Sequence, residues 1–344
     1  MARILFADTS HPKPYDYQDL AALAMGGTES SLLRTARILQ GNGHQVTVFQ
    51  QARELADEQH GVRLIGPDQL DNTQAPEHVV VLRKFPQLLR FQQQFPEARL
   101  HLWIHTYKNW EYVLKRGFRL KQPWQLITNS HTHAAHCDRL LHKGFFGRLY
   151  SLFKARVPIH TCYNPIPAEL AANPKTERDP NKLLFLSAPN KGLAQVLRTF
   201  QQINRHLKGL QLYVANPGYR KDHPEDIPNV HYLGALPAEQ VRNHLATSLC
   251  VFYPQDSFAE TFGLIYAEAN ALGTPVMAHD IGAAREILHP NNPLIKAHDN
   301  YQITKTLVHW QRQLPEVSYR KEFDEPAIYQ QWATALSLNS NTTH

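Results

Sequence analysis

The 344-residue chain is short of cysteine, with only Cys137, Cys162 and Cys250. So few and so scattered a set excludes a disulfide framework and a cysteine-built zinc site, and reduced packing residues are expected. No apolar run approaches the ~20 residues that a membrane-spanning helix needs. No Asp-x-Asp sequence occurs, and no spacing organises the 20 histidines into a convincing metal cluster. We therefore expect a globular protein that holds no metal ion.

Charge is also sparse, since 19% of the residues are charged and 42% are hydrophobic. That composition is typical of a soluble globular protein, and the length suits two domains of ordinary size. Lysine and arginine exceed acidic residues by 36 to 30, and the net charge of +6 favours anionic partners such as nucleotides, phosphorylated acceptors or acidic lipid. The first residues form a short apolar run followed at once by Asp8, unlike a secretory signal. We expect a cytoplasmic protein.

The most informative stretch runs from Ser248 to Leu288. Leu249–Tyr253 is a short apolar run typical of a buried strand, and turn residues lead from it into a helical run over Thr261–Ala271. A second short strand, Thr274–Ala278, follows, and Gly282 opens a turn before another helix. Alternating strands and helices predict a parallel sheet covered by helices.

Glu260 and Glu268 flank the start of this first helix and are separated by about two helical turns. In an open parallel sheet, ligands bind at the ends of strands, so both carboxylates can border one cleft. The amides of Thr261–Leu264 would form an anion-attracting helix start, and Gly263 would let a ligand approach the backbone. Taken singly, Glu260 is more often just a helix-start carboxylate favoured by the helix dipole, and Glu268 just a solvated carboxylate.

The sequence Glu260-Thr-Phe-Gly-Leu-Ile-Tyr-Ala-Glu268, followed by Gly273-Thr-Pro-Val, resembles the Glu-x7-Glu signature of retaining GT-B glycosyltransferases of family 4. The resemblance implies an α/β protein with two Rossmann-like domains facing each other across a cleft. It also implies that Glu260 approaches the donor sugar and that Glu268 holds the ribose. The amides around Phe262, Gly263 and Leu264 would stabilise the leaving diphosphate. No cofactor is implied, and the co-substrate would be a UDP- or GDP-linked sugar.

A Gly-Gly turn opens a helix near the N-terminus. The loop Asp8–Met25 is long for a compact domain and ends at Gly26-Gly27, before an amphipathic helix to Gln40. Two glycines at a helix start allow a phosphate or sugar to reach the amides, although Gly-Gly is most often a simple turn. Related transferases carry such a loop facing the donor, which implies donor binding by Gly26 and Gly27.

Two further candidates follow predicted strands. His105 stands at the end of the strand Leu100–Ile104, and the resemblance implies that it contacts the donor sugar. Lys191 lies in the loop after the strand Leu183–Ser187, where its ammonium and helix amides could neutralise a diphosphate. Many relatives have Gly-Arg where this chain has Ser187-Ala188, so one expected cation is missing.

Two basic, aromatic stretches, Lys108–Lys121 and Lys143–Arg156, lie in the first half of the chain. Rings interleaved with cations suit the headgroup region of an anionic membrane. A solvated helix face above core aromatics fits the same pattern equally well. Nucleic acid is not an expected partner, because no recognised binding motif accompanies the charge.

The prolines of Tyr163–Pro167 indicate a domain boundary. We predict an acceptor-side domain over residues 1–167, joined by a C-terminal helix at about 326–338, and a nucleotide-sugar domain over 168–325. The predicted function is transfer of a hexose to a hydroxyl of a glycan or lipid-linked acceptor, with retention, as in polysaccharide or lipopolysaccharide biosynthesis. Glu260, His105 and Lys191 would be the catalytic residues. The alternatives are another GT-B enzyme, such as a sugar-nucleotide epimerase or a phosphorylase, or a membrane-associated scaffold without catalysis.

Overall fold

The structure is a computed structural model that describes residues 1–22, 25–107, 110–167, 170, 176–215 and 226–338. The chain forms two compact units. The first unit comprises Met1–Tyr17, Thr28–Pro165 and Glu325–His344, and the second comprises Gln18–Gly27 and Ile166–Asp324. Each unit is built on a sheet with flanking helices, and the predicted α/β class with two parallel-sheet domains is confirmed.

The sheet of the first unit has eight strands in the order β3-β4-β2-β1-β5-β6-β7-β8. All neighbours pair in parallel except β3 and β4, which are antiparallel. The strands are β1 Arg3–Asp8, β2 Gln45–Gln50, β3 Asp57–Gln59, β4 Val62–Ile65, β5 His78–Leu82, β6 Arg99–Trp103, β7 Trp124–Thr128 and β8 Ile159–Thr161.

The sheet of the second unit has five parallel strands in the order β11-β10-β9-β12-β13. They are β9 Asp179–Leu186, β10 Gln211–Ala215, β11 Val230–Gly234, β12 Ser248–Tyr253 and β13 Val276–Ala278. In both sheets the chain starts centrally, builds one side and then reverses to the other. Such a reversal leaves a crevice outside the carboxyl ends of the two central strands. The reversals lie between β1 and β5 and between β9 and β12.

Helices connect the strands in both units. They are α1 Tyr17–Ala22, α2 Gly27–Gly41, α3 Pro67–Leu70, α4 Pro86–Gln94, α5 Trp110–Gly117, α6 His131–Asp138, α7 Phe145–Ser151, α8 Leu193–Asn204, α9 Ala238–Thr247, α10 Leu264–Ala271, α11 Ala284–Ile287, α12 Asn300–Trp310 and α13 Glu325–Ala335. A π-helical turn, Arg139–Lys143, and a 3-10 turn, Lys321–Phe323, are also present. No helix in the described ranges is long and apolar enough to cross a membrane.

Buried apolar side chains explain why these segments fold as they do. All five residues of β5 are buried, as expected for a central strand covered on both faces. Helix α13 packs on the first sheet through Trp332, whose ring lies 5.4 Å from Phe6 and 4.8 Å from Trp103. Helix α6 begins where Ser130 caps it by accepting a hydrogen bond from the His133 amide at 3.0 Å. All three cysteines are buried and free, as the sequence indicated.

Two features of the N-terminal region differ from the sequence-based expectation. The long loop predicted over Asp8–Met25 contains helix α1. Residues Gln18–Gly27, which the predicted boundaries placed in the first domain, belong to the second unit. The physical reason is that the end of this segment packs against the second unit. A Cβ atom added to Gly27 would lie 2.8 Å from the Leu264 side chain of α10.

A row of histidines crosses the interior of the first sheet. His78 Nδ1 lies 3.2 Å from His101 Nε2 on the neighbouring strand, and both side chains are buried. Burial, reinforced by the Arg99 charge, lowers the pKa of His78 to about 4. Burial and the neighbouring His78 and His160 lower the pKa of His101 as well. These histidines are therefore neutral in the folded protein near pH 7.

We expect acid to destabilise the first unit through these histidines. An unfolded histidine has a pKa near 6.5. Between that pH and about 4, the unfolded chain therefore binds protons that folded His78 does not. As the pH falls from 6.5 to about 4, the free energy of unfolding should therefore decrease, by ~3 kcal/mol for His78 alone. Urea unfolding followed by tryptophan fluorescence measures it. His78→Gln should flatten the pH dependence and the exposed His231→Gln should not; equal slopes in all three proteins would contradict the prediction.

Candidate active site

The switch point of the second sheet brings two predicted site residues together. Lys191 lies in the loop that follows β9, and Glu260 lies in the loop that follows β12. These are the two central strands at which the strand order reverses. Because parallel strands end at the same edge of a sheet, the two loops meet there although 69 residues separate the two side chains.

Lys191 and Glu260 form a two-pronged ion pair. The Lys191 Nζ donates to Glu260 Oε1 at 2.9 Å and to Oε2 at 3.0 Å. The Glu260 side chain is 9% exposed and that of Lys191 is 29% exposed. The ammonium also lies 4.8 Å from the centre of the Phe258 ring, within the range of a cation–π interaction. The cation is thus fixed from two sides and still reaches solvent.

Tyr253, the last residue of β12, supports the carboxylate from beneath. Its hydroxyl donates to Glu260 Oε1 at 3.3 Å. Burial, and then the nearby Glu260 charge, raises the pKa of Tyr253 well above its ordinary value, so the hydroxyl stays protonated and acts as a donor. The same tyrosine is hydrogen-bonded to the side chain of Ser187, and Ala188 is buried. Small side chains therefore stand at Ser187-Ala188, where the resemblance implied an arginine.

Close backbone approaches set the position of the Glu260 loop. Gly192 has φ +91°, and a Cβ there would lie 2.6 Å from the Gln255 side chain. Gln255 in turn holds the loop by accepting from the Phe258 amide at 2.8 Å and donating to the Phe258 carbonyl at 2.8 Å. Gly282 has φ +60°, and a Cβ there would lie 2.4 Å from the Glu260 carbonyl oxygen. Sequence reasoning missed Tyr253, Gln255 and Phe258.

Helix α10 begins at Leu264, three residues later than the predicted Thr261. The reason is Gly263, which has φ +83° and therefore lies outside the helix as its N-cap. The Phe262 side chain is buried and packs on Phe323 with ring centroids 5.1 Å apart. Glu268 is half-buried on α10. Phe262 and Gly263 therefore precede the helix instead of forming its first turn.

The glycine pair and His105 lie elsewhere in the chain. Gly26 and Gly27 belong to the second unit, and Gly27 lies against Leu264 at the start of α10. His105 belongs to the first unit, follows β6 and contacts the Trp103 ring at 4.6 Å. Burial, and then the neighbouring Arg83 charge, lowers the pKa of His105 well below its usual value. His105 is thus a neutral imidazole.

The described residues offer no metal-binding arrangement. In that part of the chain, no group of three or more histidine, cysteine, aspartate or glutamate side chains is placed to hold a metal ion. At the switch point of the second sheet, the opposite charges of Lys191 and Glu260 meet.

Comparison with known proteins gives a family match and several similar folds. Residues 180–311 match the family model described as glycosyl transferases group 1. No significant match is found among curated protein sequences.

Three solved structures similar over almost the whole chain illustrate the fold. Anabaena Alr3699/HepE in complex with UDP and glucose has a TM-score of 0.63 and 16% identity, covering 98% of this chain and 100% of that one. Sucrose-phosphate synthase from Thermosynechococcus elongatus has a TM-score of 0.61 and 14% identity, with coverage of 98% and 97%. An E. coli structure described as trehalose-6-phosphate bound with UDP-2-fluoro glucose has a TM-score of 0.61 and 10% identity, with coverage of 98% and 96%. The chain thus has the GT-B glycosyltransferase fold, and its second unit matches the glycosyl transferases group 1 model over residues 180–311.

Proposed function

We propose that this protein is a retaining, metal-independent glycosyltransferase of the family 4 type. It transfers a hexose from a nucleotide diphosphate sugar to a hydroxyl of a glycan or lipid-linked acceptor, as in polysaccharide or lipopolysaccharide assembly. The observation that carries the proposal is the Lys191–Glu260 pair at the switch point of the second sheet, with Lys191 partly open to solvent. The group 1 family match covers this sheet, and the HepE structure of the same fold holds UDP and glucose, which supports a nucleotide-sugar donor.

In the proposed reaction the acceptor oxygen bonds to the anomeric carbon while the bond to the diphosphate breaks on the same face. The acceptor proton passes to the leaving diphosphate, so no protein nucleophile is needed. Lys191 stabilises the negative charge that develops on the leaving group, together with the Leu264 amide at the start of α10. Glu260, held by Lys191 and Tyr253, orients the hydroxyls of the donor sugar. Glu268 holds the ribose, Gly26 and Gly27 admit the donor, and His105 contacts the donor sugar.

A donor panel tests the proposal. The protein is incubated with UDP- and GDP-linked sugars, and release of the nucleoside diphosphate is measured with and without candidate acceptors. We expect one donor to be consumed slowly by water and faster with an acceptor. An epimerase would change the sugar without releasing nucleotide, a phosphorylase would require phosphate, and a scaffold would consume no donor. Each of these three results would contradict transfer to a hydroxyl.

We also propose that the protein docks on the anionic inner face of a membrane. Residues 115–121 and 139–156, here called the cationic aromatic surface, contain nine lysines and arginines and no acidic residue. The two segments are in contact, because the Phe118 ring lies 5.0 Å from Tyr150 and the Lys115 ammonium lies 5.7 Å from the Phe146 ring centre. Lys108 of the predicted stretch lies outside the described residues.

Large apolar side chains of this surface are exposed instead of forming core. Phe145 and Leu152 are each 76% exposed, and Phe153 is 70% exposed, whereas Tyr150 is buried. Burying one such side chain in lipid is worth about 1.5–3 kcal/mol, and each nearby cation adds about 1 kcal/mol at an anionic surface. The sum is large enough for reversible binding without a membrane-spanning segment.

We expect the protein to co-sediment with vesicles containing phosphatidylglycerol and not with pure phosphatidylcholine. Replacing Phe145 and Phe153 together with serine should weaken binding by at least about tenfold, because two inserted rings are lost. High salt should weaken it further. Tyr301→Ser is the matched control, since that ring is 79% exposed in the second unit. Equal sedimentation with both lipids at low salt, or no effect of the double replacement, would contradict docking.

A further inference from the structure

An aromatic ring lies against the charged end of Lys191. The Lys191 ammonium is 4.8 Å from the centre of the ring of Phe258, which belongs to the loop between β12 and α10. Phe258 is half-buried, and 29% of the Lys191 side chain is exposed. Both groups are therefore partly accessible to a ligand that approaches the ion pair between Lys191 and Glu260.

A buried glutamine holds both members of this contact. Gln255 is 1% exposed and binds the Phe258 backbone twice, accepting from its amide and donating to its carbonyl, each at 2.8 Å. The same side chain fills the space beside Gly192, where a Cβ would lie 2.6 Å from it. Gly192 directly follows Lys191, whose amide donates to the Ala188 carbonyl at 2.9 Å. One side chain therefore fixes the ring and the turn that carries the lysine.

The hydrogen bonds of Lys191 leave it a donor for a ligand. An ammonium group carries three N–H donors and no acceptor. Within the described residues its hydrogen-bond partners are the two carboxylate oxygens of Glu260, at 2.9 and 3.0 Å. At least one N–H therefore stays available. The Phe258 ring covers one side of the ammonium and so restricts the directions from which a ligand can reach that N–H.

Phe258 attracts the ammonium without adding a negative charge to the site. The face of an aromatic ring is electron-rich, and its quadrupole attracts a cation. A second carboxylate at that place would also hold the lysine, but it would repel an incoming phosphate. Glu260 already balances the charge of Lys191, so a further acid would make this pair net negative, whereas a neutral ring does not.

We infer that Phe258 is a positioning residue, whose ring orients the Lys191 ammonium so that its available N–H meets a phosphate of a nucleoside diphosphate. The ring also keeps water from one side of the ammonium, which strengthens the attraction between cation and phosphate. Ser187-Ala188 stand where the resemblance implied an arginine, so the strength of the Lys191 contact matters more. That the diphosphate is a leaving group rests on the proposed function, whereas its binding does not.

Ring fluorination separates this electrostatic role from packing. Fluorine withdraws electrons from the face of the ring and changes its size little, so a cation–π contact weakens with each fluorine added. Phe258 is replaced with phenylalanines that carry one, two and three ring fluorines, and the affinities for UDP and GDP are measured by titration calorimetry. For the nucleotide that binds, we expect the logarithm of the dissociation constant to rise steadily with the number of fluorines.

Ordinary substitutions give the size of the effect. Phe258→Leu keeps an apolar side chain and removes the ring, so it should weaken nucleotide binding by about three- to tenfold, as expected for a partly exposed cation–π contact. Phe258→Tyr keeps the ring and should bind as the wild-type protein does. Tyr301→Leu, which removes a 79% exposed ring from the same unit, is the matched control and should also leave the affinity unchanged.

Constant affinity across the fluorine series, full affinity in Phe258→Leu, or failure of the wild-type protein to bind either nucleotide would overturn the inference. Consumption of the donor sugar is measured separately in the same variants. Nucleotide binding that follows the fluorine series without any sugar transfer would contradict the transferase proposal and leave this inference standing. Sugar transfer by a protein whose nucleotide affinity does not depend on the ring would do the reverse.

Discussion

Lys191→Ala is expected to lower the turnover of the donor sugar by about 10²–10³-fold, the usual cost of removing one preorganised group that stabilises a leaving charge. The substitution also leaves the Glu260 carboxylate, 9% exposed, without its cation. Glu260→Ala should reduce turnover to a similar degree. Because the two side chains contact each other at 2.9 Å, the double variant should be little worse than either single one.

Glu268→Ala provides the contrast for this pair. The ribose that we assign to Glu268 lies far from the reacting bond, so its loss should raise the donor KM by about tenfold and leave kcat nearly unchanged. Lys208→Ala, which removes an exposed lysine of the same unit, is the control. Equal and small effects of all three site substitutions would contradict the assigned roles.

Gly282→Ala is expected to damage both stability and turnover. The added Cβ would lie 2.4 Å from the Glu260 carbonyl oxygen and 2.9 Å from the Glu260 amide nitrogen. These are backbone atoms that cannot rotate away, and Ala283 already donates to the same carbonyl at 2.9 Å. Strain at φ +60° and overpacking together should cost about 2–4 kcal/mol. Displacement of Glu260 should lower turnover by about 10²-fold.

Gly209→Ala separates the two causes of that loss. Gly209 also has a left-handed φ, +97°, but a Cβ there would meet nothing within 4 Å. It should therefore lose only about 1–2 kcal/mol of unfolding free energy, measured by urea titration, and keep full turnover. If Gly282→Ala behaved like Gly209→Ala in both assays, Gly282 would not be what positions Glu260.

The parts of the fold that sequence predicted best are those with strong local signals. Short apolar runs located the central strands, and Gly273 ended helix α10 as expected. Strand β3 was not predicted, because Asp57–Gln59 is polar and largely exposed at the sheet edge. The start of α10 was placed three residues early, because no pattern reveals that Gly263 adopts φ +83°.

Long-range pairings were the part that sequence reasoning could not reach. The motif identified Glu260, and the loop after a predicted strand identified Lys191, but their ion pair spans 69 residues and depends on strand order. Arg83 carries no local signal at all, since its partners Asp8 and Glu29 lie on other elements. For the stretch Lys143–Arg156, membrane and core interpretations fitted the pattern equally. In the structure the aromatic side chains of this stretch differ in exposure: Tyr150 is buried in the core, whereas Phe145 is exposed to solvent.

The most direct test of the account is the product of the reaction itself. The donor that the panel identifies is incubated with its acceptor, and proton NMR follows the anomeric signals while nucleoside diphosphate is quantified. We predict one diphosphate released per sugar transferred, a product with the donor's anomeric configuration, and loss of both signals in Lys191→Ala. Inversion of the anomeric centre, or undiminished turnover in that variant, would contradict the account.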